Sequence, residues 1–123
     1  FCGAGGAAMG SDIERAWAAG FFDGEGSVAV CRDGRPGRGV SLQLDIEQTD
    51  KRPLLRFAQA VGWTGNIVRR EPRAPNRRVL YRVAMRNDQA VAAISALWPW
   101  LSEPKREQFS RAITLLRSLH AAA

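Results

Sequence analysis

The chain has 123 residues, 46% of them hydrophobic, and a formal net charge of +6 at pH 7. These values predict one globular domain, and no apolar run approaches the roughly 20 residues that a membrane-spanning helix needs. Two cysteines and a single histidine, His120, argue against a disulfide framework, zinc chemistry and histidine-based catalysis.

The chain begins with small, glycine-rich residues. We expect residues 1–10 to form a flexible lead, followed by a single domain over 11–123, with Met9 as an alternative biological start. The lead lacks the basic start and the apolar stretch of a secretory signal peptide. Together with the cysteine usage, this predicts an intracellular, reducing compartment, either the cytoplasm or an organelle.

Periodicity and turn residues predict the element order α-β-β-α-β-β-α-α. A capping box at Ser11 and Glu14 begins the first helix, and Gly24 and Gly26 end it. The predicted helices span 12–23, 51–61, 88–97 and 103–120, and the predicted strands span 27–32, 40–48, 66–71 and 77–86. Two hairpins then give an α+β fold, in which one antiparallel four-stranded sheet has all helices on one face.

Positive charge is concentrated in the second predicted hairpin. Between Gly65 and Arg86 there are seven arginines against one acid, Glu71, a net charge of +6. Such clustering is typical of a protein that binds a polyanion. The alternative is a solvated face in a protein from a GC-rich genome, although that bias explains arginine over lysine and does not explain clustering.

Strand alternation places polar and basic residues on the sheet face away from the helices. That face can offer donors and acceptors to base edges in the major groove of DNA, and we expect Arg70 and Arg82 to contact guanine. We expect arginines in the loops to contact phosphates instead. The predicted DNA-binding residues are Ser27, Ala29, Cys31, Arg32, Arg35, Arg38, Ser41, Gln43, Asp45, Asn66, Val68, Arg70, Arg73, Arg77, Arg78, Leu80 and Arg82. A one-residue slip in the third strand would exchange its two faces.

The first predicted helix carries small residues along one stripe. Ala16, Gly20 and Gly24 recur at every fourth position, with Ala19 beside them. Such a stripe lets another helix backbone approach closely, and the alternative is close packing against the chain's own core. Because the chain has one such helix, a symmetric helix pair would require a second copy. The predicted interface residues are Ala16, Ala19, Gly20, Asp23 and Gly24.

The nine residues over 18–26, Ala-Ala-Gly-Phe-Phe-Asp-Gly-Glu-Gly, resemble the signature motif of the LAGLIDADG homing endonucleases. The element order also resembles the αββαββα domain of that family, whose sheet is saddle-shaped, and the resemblance covers the chain from about residue 12 onward. It departs at Ala18, where leucine is commoner, and at Glu25, where aspartate is commoner. The resemblance implies a homodimeric endonuclease that cuts double-stranded DNA at a long, nearly palindromic site and serves the mobility of an intron or an intein.

The resemblance also implies the roles of individual residues. Glu25 would hold Mg²⁺, with the backbone carbonyl of Gly24 as a further ligand and with Mn²⁺ or Ca²⁺ as substitutes in binding. Gln48 would position water or metal, and Lys105 would be the lysine of a basic pocket. For these two, the alternatives are a surface polar residue and a solvated helix start. Asp23 is expected to cap or orient a helix end, and no small-molecule cofactor is expected.

Two other functions stay open on the same fold. One is a DNA-binding regulator that has lost cleavage, and the other is a maturase that uses the basic face on an intron RNA. The acids at 23 and 25, with Gln48 and Lys105, favour the enzyme.

Overall fold

The computed structural model describes residues 9–32 and 39–122. Residues 1–8 of the predicted lead over 1–10 and the arginines at 35 and 38 lie outside the described residues. Within them the elements follow the predicted order, which confirms the α+β fold. The helices are α1 (Asp12–Glu25), α2 (Lys51–Val61), α3 (Asp88–Leu97) and α4 (Glu103–Ala122), and the strands are β1 (Gly26–Arg32), β2 (Val40–Gln48), β3 (Val68–Arg70) and β4 (Leu80–Arg86). Of the helices in this part of the chain, none has both the length and the hydropathy to cross a membrane.

The strands form one antiparallel sheet in the order β1-β2-β4-β3. The pairs β1–β2 and β3–β4 are the two predicted hairpins, and they join along β2 and β4. All helices pack on one side of this sheet, where Leu44, Ile46, Val83 and Met85 are at most 1% exposed. Burying each such side chain stabilises the fold by about 1.5–3 kcal/mol, so the apolar alternation fixes which face the helices cover.

The first helix ends later than predicted, at Glu25 rather than at residue 23. Gly24 therefore lies inside the helix, and the N–H of Gly26 donates to the carbonyl of Phe22 to close the last turn. A Cβ atom at position 26 would lie 2.0 Å from the ring of Phe22. Only glycine allows the chain to leave the helix and enter β1 at this point.

The second hairpin has shorter strands than predicted. β3 begins at Val68 and β4 begins at Leu80, so Asn66 and Arg78 lie outside the strands. Pro72 and Pro75 interrupt the intervening segment, and proline cannot donate to a strand ladder. The prediction that Asn66 and Arg78 occupy strand positions is therefore wrong.

The turn from β4 into α3 depends on Asn87, which has a φ of 49°. Its backbone N–H donates to the carbonyl of Leu42 at 2.9 Å, and its Oδ1 accepts from the N–H of Leu42 at 3.1 Å. The side chain thus replaces the backbone carbonyl as acceptor at the end of the β2–β4 ladder. The carbonyl of Asn87 instead accepts from the N–H of Val91 in α3, at 3.0 Å.

We predict that Asn87→Ala lowers the free energy of unfolding by about 1–3 kcal/mol, because the N–H of Leu42 loses its acceptor and alanine disfavours a positive φ. Asn87→Gly keeps the backbone freedom and should lose less, and Asn87→Asp also keeps the acceptor and should lose least. Urea denaturation measures all three. Equal stability of Asn87→Ala and the unmodified protein would contradict this account of the turn.

Candidate active site and nucleic-acid interface

The end of α1 carries an exposed carboxylate beside polar groups from two other elements. Oε2 of Glu25 accepts a hydrogen bond from Nε2 of Gln48, at the end of β2, at 3.0 Å. In the next residue, the carbonyl of Gly26 accepts from Nζ of Lys105, in the first turn of α4. The fold therefore brings together the three residues that the family resemblance implies as catalytic.

Lys105 is also held from a second side. Its ammonium lies 5.5 Å from the ring centre of Phe22, within the range of a cation–π contact. The lysine is half-buried, which keeps its charge close to the junction of α1 and β1. The same junction carries Glu25, so the ammonium of Lys105 binds the backbone one residue after the carboxylate.

The oxygen atoms at the end of α1 suit a hard divalent ion. A carboxylate has about four lone-pair sites, and Gln48 uses one of those on Glu25. Gly24 is exposed in the last turn of the same helix, where backbone carbonyls lack partners within the helix. Among the described residues, no group of three or more His, Cys, Asp or Glu side chains could hold a metal. The Glu25 carboxylate and the Gly24 carbonyl are hard oxygen donors of the kind that Mg²⁺ prefers.

Asp23, the other acid of the motif, is engaged within the chain. Its Oδ1 accepts from the backbone N–H of Ser102 at 3.1 Å and from the Ser102 hydroxyl at 2.9 Å. Ser102 immediately precedes α4, so the expected capping contact occurs at the start of α4 rather than at the end of α1. This contact fixes the first turn of α4, which carries Lys105.

We predict that Asp23→Ala lowers the free energy of unfolding by about 1–3 kcal/mol, because it removes the acceptor of a half-buried backbone N–H. Asp23→Asn is the matched control: it keeps one acceptor oxygen and should lose less. Hydrogen exchange at the first turn of α4 should accelerate in the alanine variant. Unchanged exchange there would show that the contact does not hold α4.

One face of α1 is not covered by its own chain. Ile13 is 79% exposed, and Gly20 and Gly24 are exposed about two and three turns further on. A Cβ atom at either glycine would meet nothing within 4 Å. Packing inside the chain therefore does not require glycine at these positions.

Two predicted interface residues do not lie on this face. Ala19 is 0% exposed in the chain's own core, and Asp23 contacts Ser102. Each directly precedes one of the two exposed glycines, and successive residues of an α-helix are rotated by about 100° around its axis. The assignment of Ala19 to an interface is therefore wrong, whereas half-buried Ala16 stays beside the exposed stripe.

The strand register places the predicted DNA-binding strand residues on the open face of the sheet. Ser27 lies opposite Asp45, and Val68 lies opposite Arg82, which settles the face of β3. What these side chains contact stays a prediction. The predicted DNA-binding set leaves out Glu47, Ala84 and Arg86, although these residues continue the alternation of β2 and β4. The described strand residues on this face are Ser27, Ala29, Cys31, Ser41, Gln43, Asp45, Glu47, Val68, Arg70, Leu80, Arg82, Ala84 and Arg86.

The centre of this face is not simply basic. Nε and Nη2 of Arg82 donate to the two carboxylate oxygens of Asp45 at 2.7 and 2.6 Å. Nη1 of Arg70 donates to Glu47 at 3.0 Å. The hydrogen bond with Asp45 raises the pKa of Arg82 above its ordinary value, so the guanidinium stays charged. The two arginines predicted to contact guanine are therefore held by acids in this structure.

Exposed positive charge lies around this centre instead. Arg86 ends β4 on this face and is exposed. Arg32 ends β1 at the same end of the sheet and is also exposed, although it alternates with Val28 and Val30 on the helix side. At the opposite end of the sheet, a cleft of about 740 Å³ lies between the β3–β4 connection and the end of β2. The arginines that line it are Arg70, Arg73, Arg77 and Arg78. We call the strand ends and the β3–β4 connection the rim of the open face. The positive charge there suits the binding of a polyanion.

Comparisons with protein-family models and with curated proteins find no match, but solved structures share the fold. The homing endonuclease I-CvuI, in complex with its target in the presence of Ca, has 21% identity and a TM-score of 0.63, over 87% of this chain and 68% of I-CvuI. The LAGLIDADG homing endonuclease I-LtrWI, bound to target DNA, has 20% identity and a TM-score of 0.67, over 85% of this chain and 37% of I-LtrWI. The LAGLIDADG homing endonuclease I-GzeII, in complex with a DNA target, has 20% identity and a TM-score of 0.62, over 94% and 38%. This chain spans well under half the length of the last two.

Proposed function

We propose that this chain, which has the fold of the LAGLIDADG homing endonucleases, is a metal-dependent endonuclease that cuts double-stranded DNA as a homodimer. The observation that carries the proposal is the position of Glu25: it ends a helix whose uncovered face can meet a second copy, with Gln48 and Lys105 beside it. Two α1 helices packed along that face would bring two carboxylates to a two-fold axis. Two carboxylates related in this way would serve the two strands of a duplex.

The residues at the end of α1 would hold the metal. Glu25 and the carbonyl of Gly24 would be ligands from each chain, and phosphate oxygens and waters would complete the shell. When bound, such an ion lowers the pKa of a coordinated water and stabilises the leaving oxygen of a phosphodiester. Gln48 orients the carboxylate of Glu25, and Lys105 keeps a positive charge beside the site at which a phosphate would sit.

The open sheet face would lie on the duplex. The rim arginines Arg32, Arg73, Arg77 and Arg86 would contact phosphates, which gives sequence-independent affinity that falls as salt rises. Residues at the centre of the face would contact base edges, and a two-fold dimer would read a nearly palindromic site. Two structural neighbours were solved in complex with target DNA, which supports double-stranded DNA as the ligand.

We predict that Glu25→Gln lowers the rate of DNA cleavage by at least about 100-fold, because the metal loses a charged ligand, and leaves affinity for the selected site within about threefold. The site is obtained by selection from a randomised duplex library with Mg²⁺, scored for both retention and cutting. Glu107→Gln, which makes the same charge change at an exposed position of α4, is the control and should cut normally.

Cleavage by Glu25→Gln at the unmodified rate would contradict the role of Glu25. If the unmodified protein binds a specific duplex sequence and never cuts it, the result would favour a DNA-binding regulator. Preference for a structured intron RNA over every duplex would favour a maturase.

We predict that Gly20→Leu abolishes the dimer, because its side chain enters the space that a second α1 would occupy. The same change does not disturb the chain itself, since a Cβ atom at position 20 meets nothing within 4 Å. Replacing a helical glycine stabilises a helix by up to about 1 kcal/mol, so the free energy of unfolding of the monomer should not fall. Sedimentation equilibrium measures the change in mass, with Thr114→Leu, exposed on α4, as the matched control. A dimeric Gly20→Leu protein would refute this interface.

A further inference from the structure

The open face of the sheet carries two acids at its centre, Asp45 and Glu47, where phosphate binding alone would favour none. A carboxylate that faces a DNA backbone costs affinity through like-charge repulsion. Both acids are nevertheless in place, and each is bonded to an arginine of the second hairpin. Their position therefore calls for a role other than general attraction to DNA.

Asp45 is the more strongly held of the two. Its side chain is 26% exposed and that of Arg82 is 29% exposed, and the two side chains make parallel hydrogen bonds in a fork. A bidentate, half-buried pair fixes the plane of the guanidinium, which an exposed single contact does not. Glu47 makes one contact with Arg70 and is 37% exposed, so it constrains its partner less.

Asp45 also contacts a second side chain on the face. Nε2 of Gln43 lies 3.4 Å from Oδ2 of Asp45, and Gln43 is 9% exposed. Because the amide nitrogen turns toward the carboxylate, the orientation of the Gln43 amide is set by the same residue that sets Arg82. One carboxylate thus controls two side chains that can recognise bases, glutamine for adenine and arginine for guanine.

We propose that Asp45 is a specificity-determining positioning residue, which orients Arg82 and Gln43 so that they read base edges in one arrangement. The inference rests on the proposed DNA-binding function and goes beyond it by naming the device that selects base pairs. The carboxylate only accepts hydrogen bonds, so its remaining lone pairs tolerate the amino groups of cytosine or adenine and repel the oxygens of guanine and thymine. Asp45 therefore lowers affinity for DNA in general and raises the preference for one sequence.

Two substitutions with different effects on charge test this role. Asp45→Asn removes a negative charge and keeps the shape, and Arg82→Lys keeps the charge and loses the fork. Glu107→Gln, on the exposed side of α4, repeats the charge change of Asp45→Asn away from the sheet. Each protein is used for selection from a randomised duplex DNA library in Ca²⁺, and the enriched sequences are compared position by position. Thermal unfolding confirms that each variant is folded.

We expect Asp45→Asn and Arg82→Lys to lose base preference at the same positions of the site. The ratio of affinity for the selected site to affinity for random duplex should fall by at least about tenfold in both, the effect of one lost base contact. Asp45→Asn should bind random duplex more tightly than the unmodified protein, whereas Arg82→Lys should not. Glu107→Gln should keep the preference at every position.

If the unmodified protein and Asp45→Asn enrich the same sequence equally well, this inference is overturned and the proposed function is not. Loss of preference at unrelated positions in the two variants would also overturn it, because the residues would then act separately. An unmodified protein that enriches no duplex sequence would overturn both the inference and the proposed function.

Discussion

The abrupt change from helix to strand at Gly26 determines where the rest of the site lies. The backbone passes from α1 into β1 without a loop, because glycine alone leaves room for the ring of Phe22. Glu25 is therefore the last helical residue, and Ser27 is already on the open face of the sheet. A residue that would hold metal and a residue that would face DNA are separated by one position, which leaves little freedom between them.

This junction is also fixed from the outside by α4. β1 is an edge strand, and its free edge carries the carbonyl of Gly26 and the N–H of Val28. Lys105 donates to the first, and Oε1 of Gln108 accepts from the second at 3.1 Å. The two side chains are three residues apart on one face of α4, so they can bond the two free backbone groups of β1 that a neighbouring strand would otherwise pair. α4 thereby blocks pairing of the edge with another chain and holds the residue next to Glu25.

The sequence predicts the elements better than the contacts between them. The bounds of α2 and α3 agree with the structure. For α2, the side-chain cap of Asp50 and the left-handed Gly62 mark the two ends. The end of α1 was misjudged because Gly24 has the usual residue type of a helix stop but continues the helix. The family resemblance supplied Gln48 and Lys105, which no local pattern connects to Glu25.

The pairs on the open face could not be predicted, because they depend on the register between β2 and β4. Arg82 lies opposite Glu47 in the ladder but bonds to Asp45, one pair further along the face. Predicting such a diagonal contact requires both the register of the two strands and the rotamer of a long side chain. The alternation of polar and apolar residues predicts neither. The position of Ala19, in contrast, could have been predicted from helix geometry. It is rotated by about 100° from Gly20, which places it toward the core.

The arrangement of charge on the open face separates affinity for DNA in general from preference for one sequence, which a count of arginines does not distinguish. At the centre, two acids neutralise two arginines, so the middle of the face adds little to attraction over long distances. The net positive charge lies at the ends of the strands and in the β3–β4 connection, where phosphates of a duplex on the sheet would run. Affinity and its salt dependence would then arise at the rim, and sequence preference at the centre. Because a paired arginine gains little from phosphates, substitutions at the centre can change the choice of sequence without removing the ability to bind DNA.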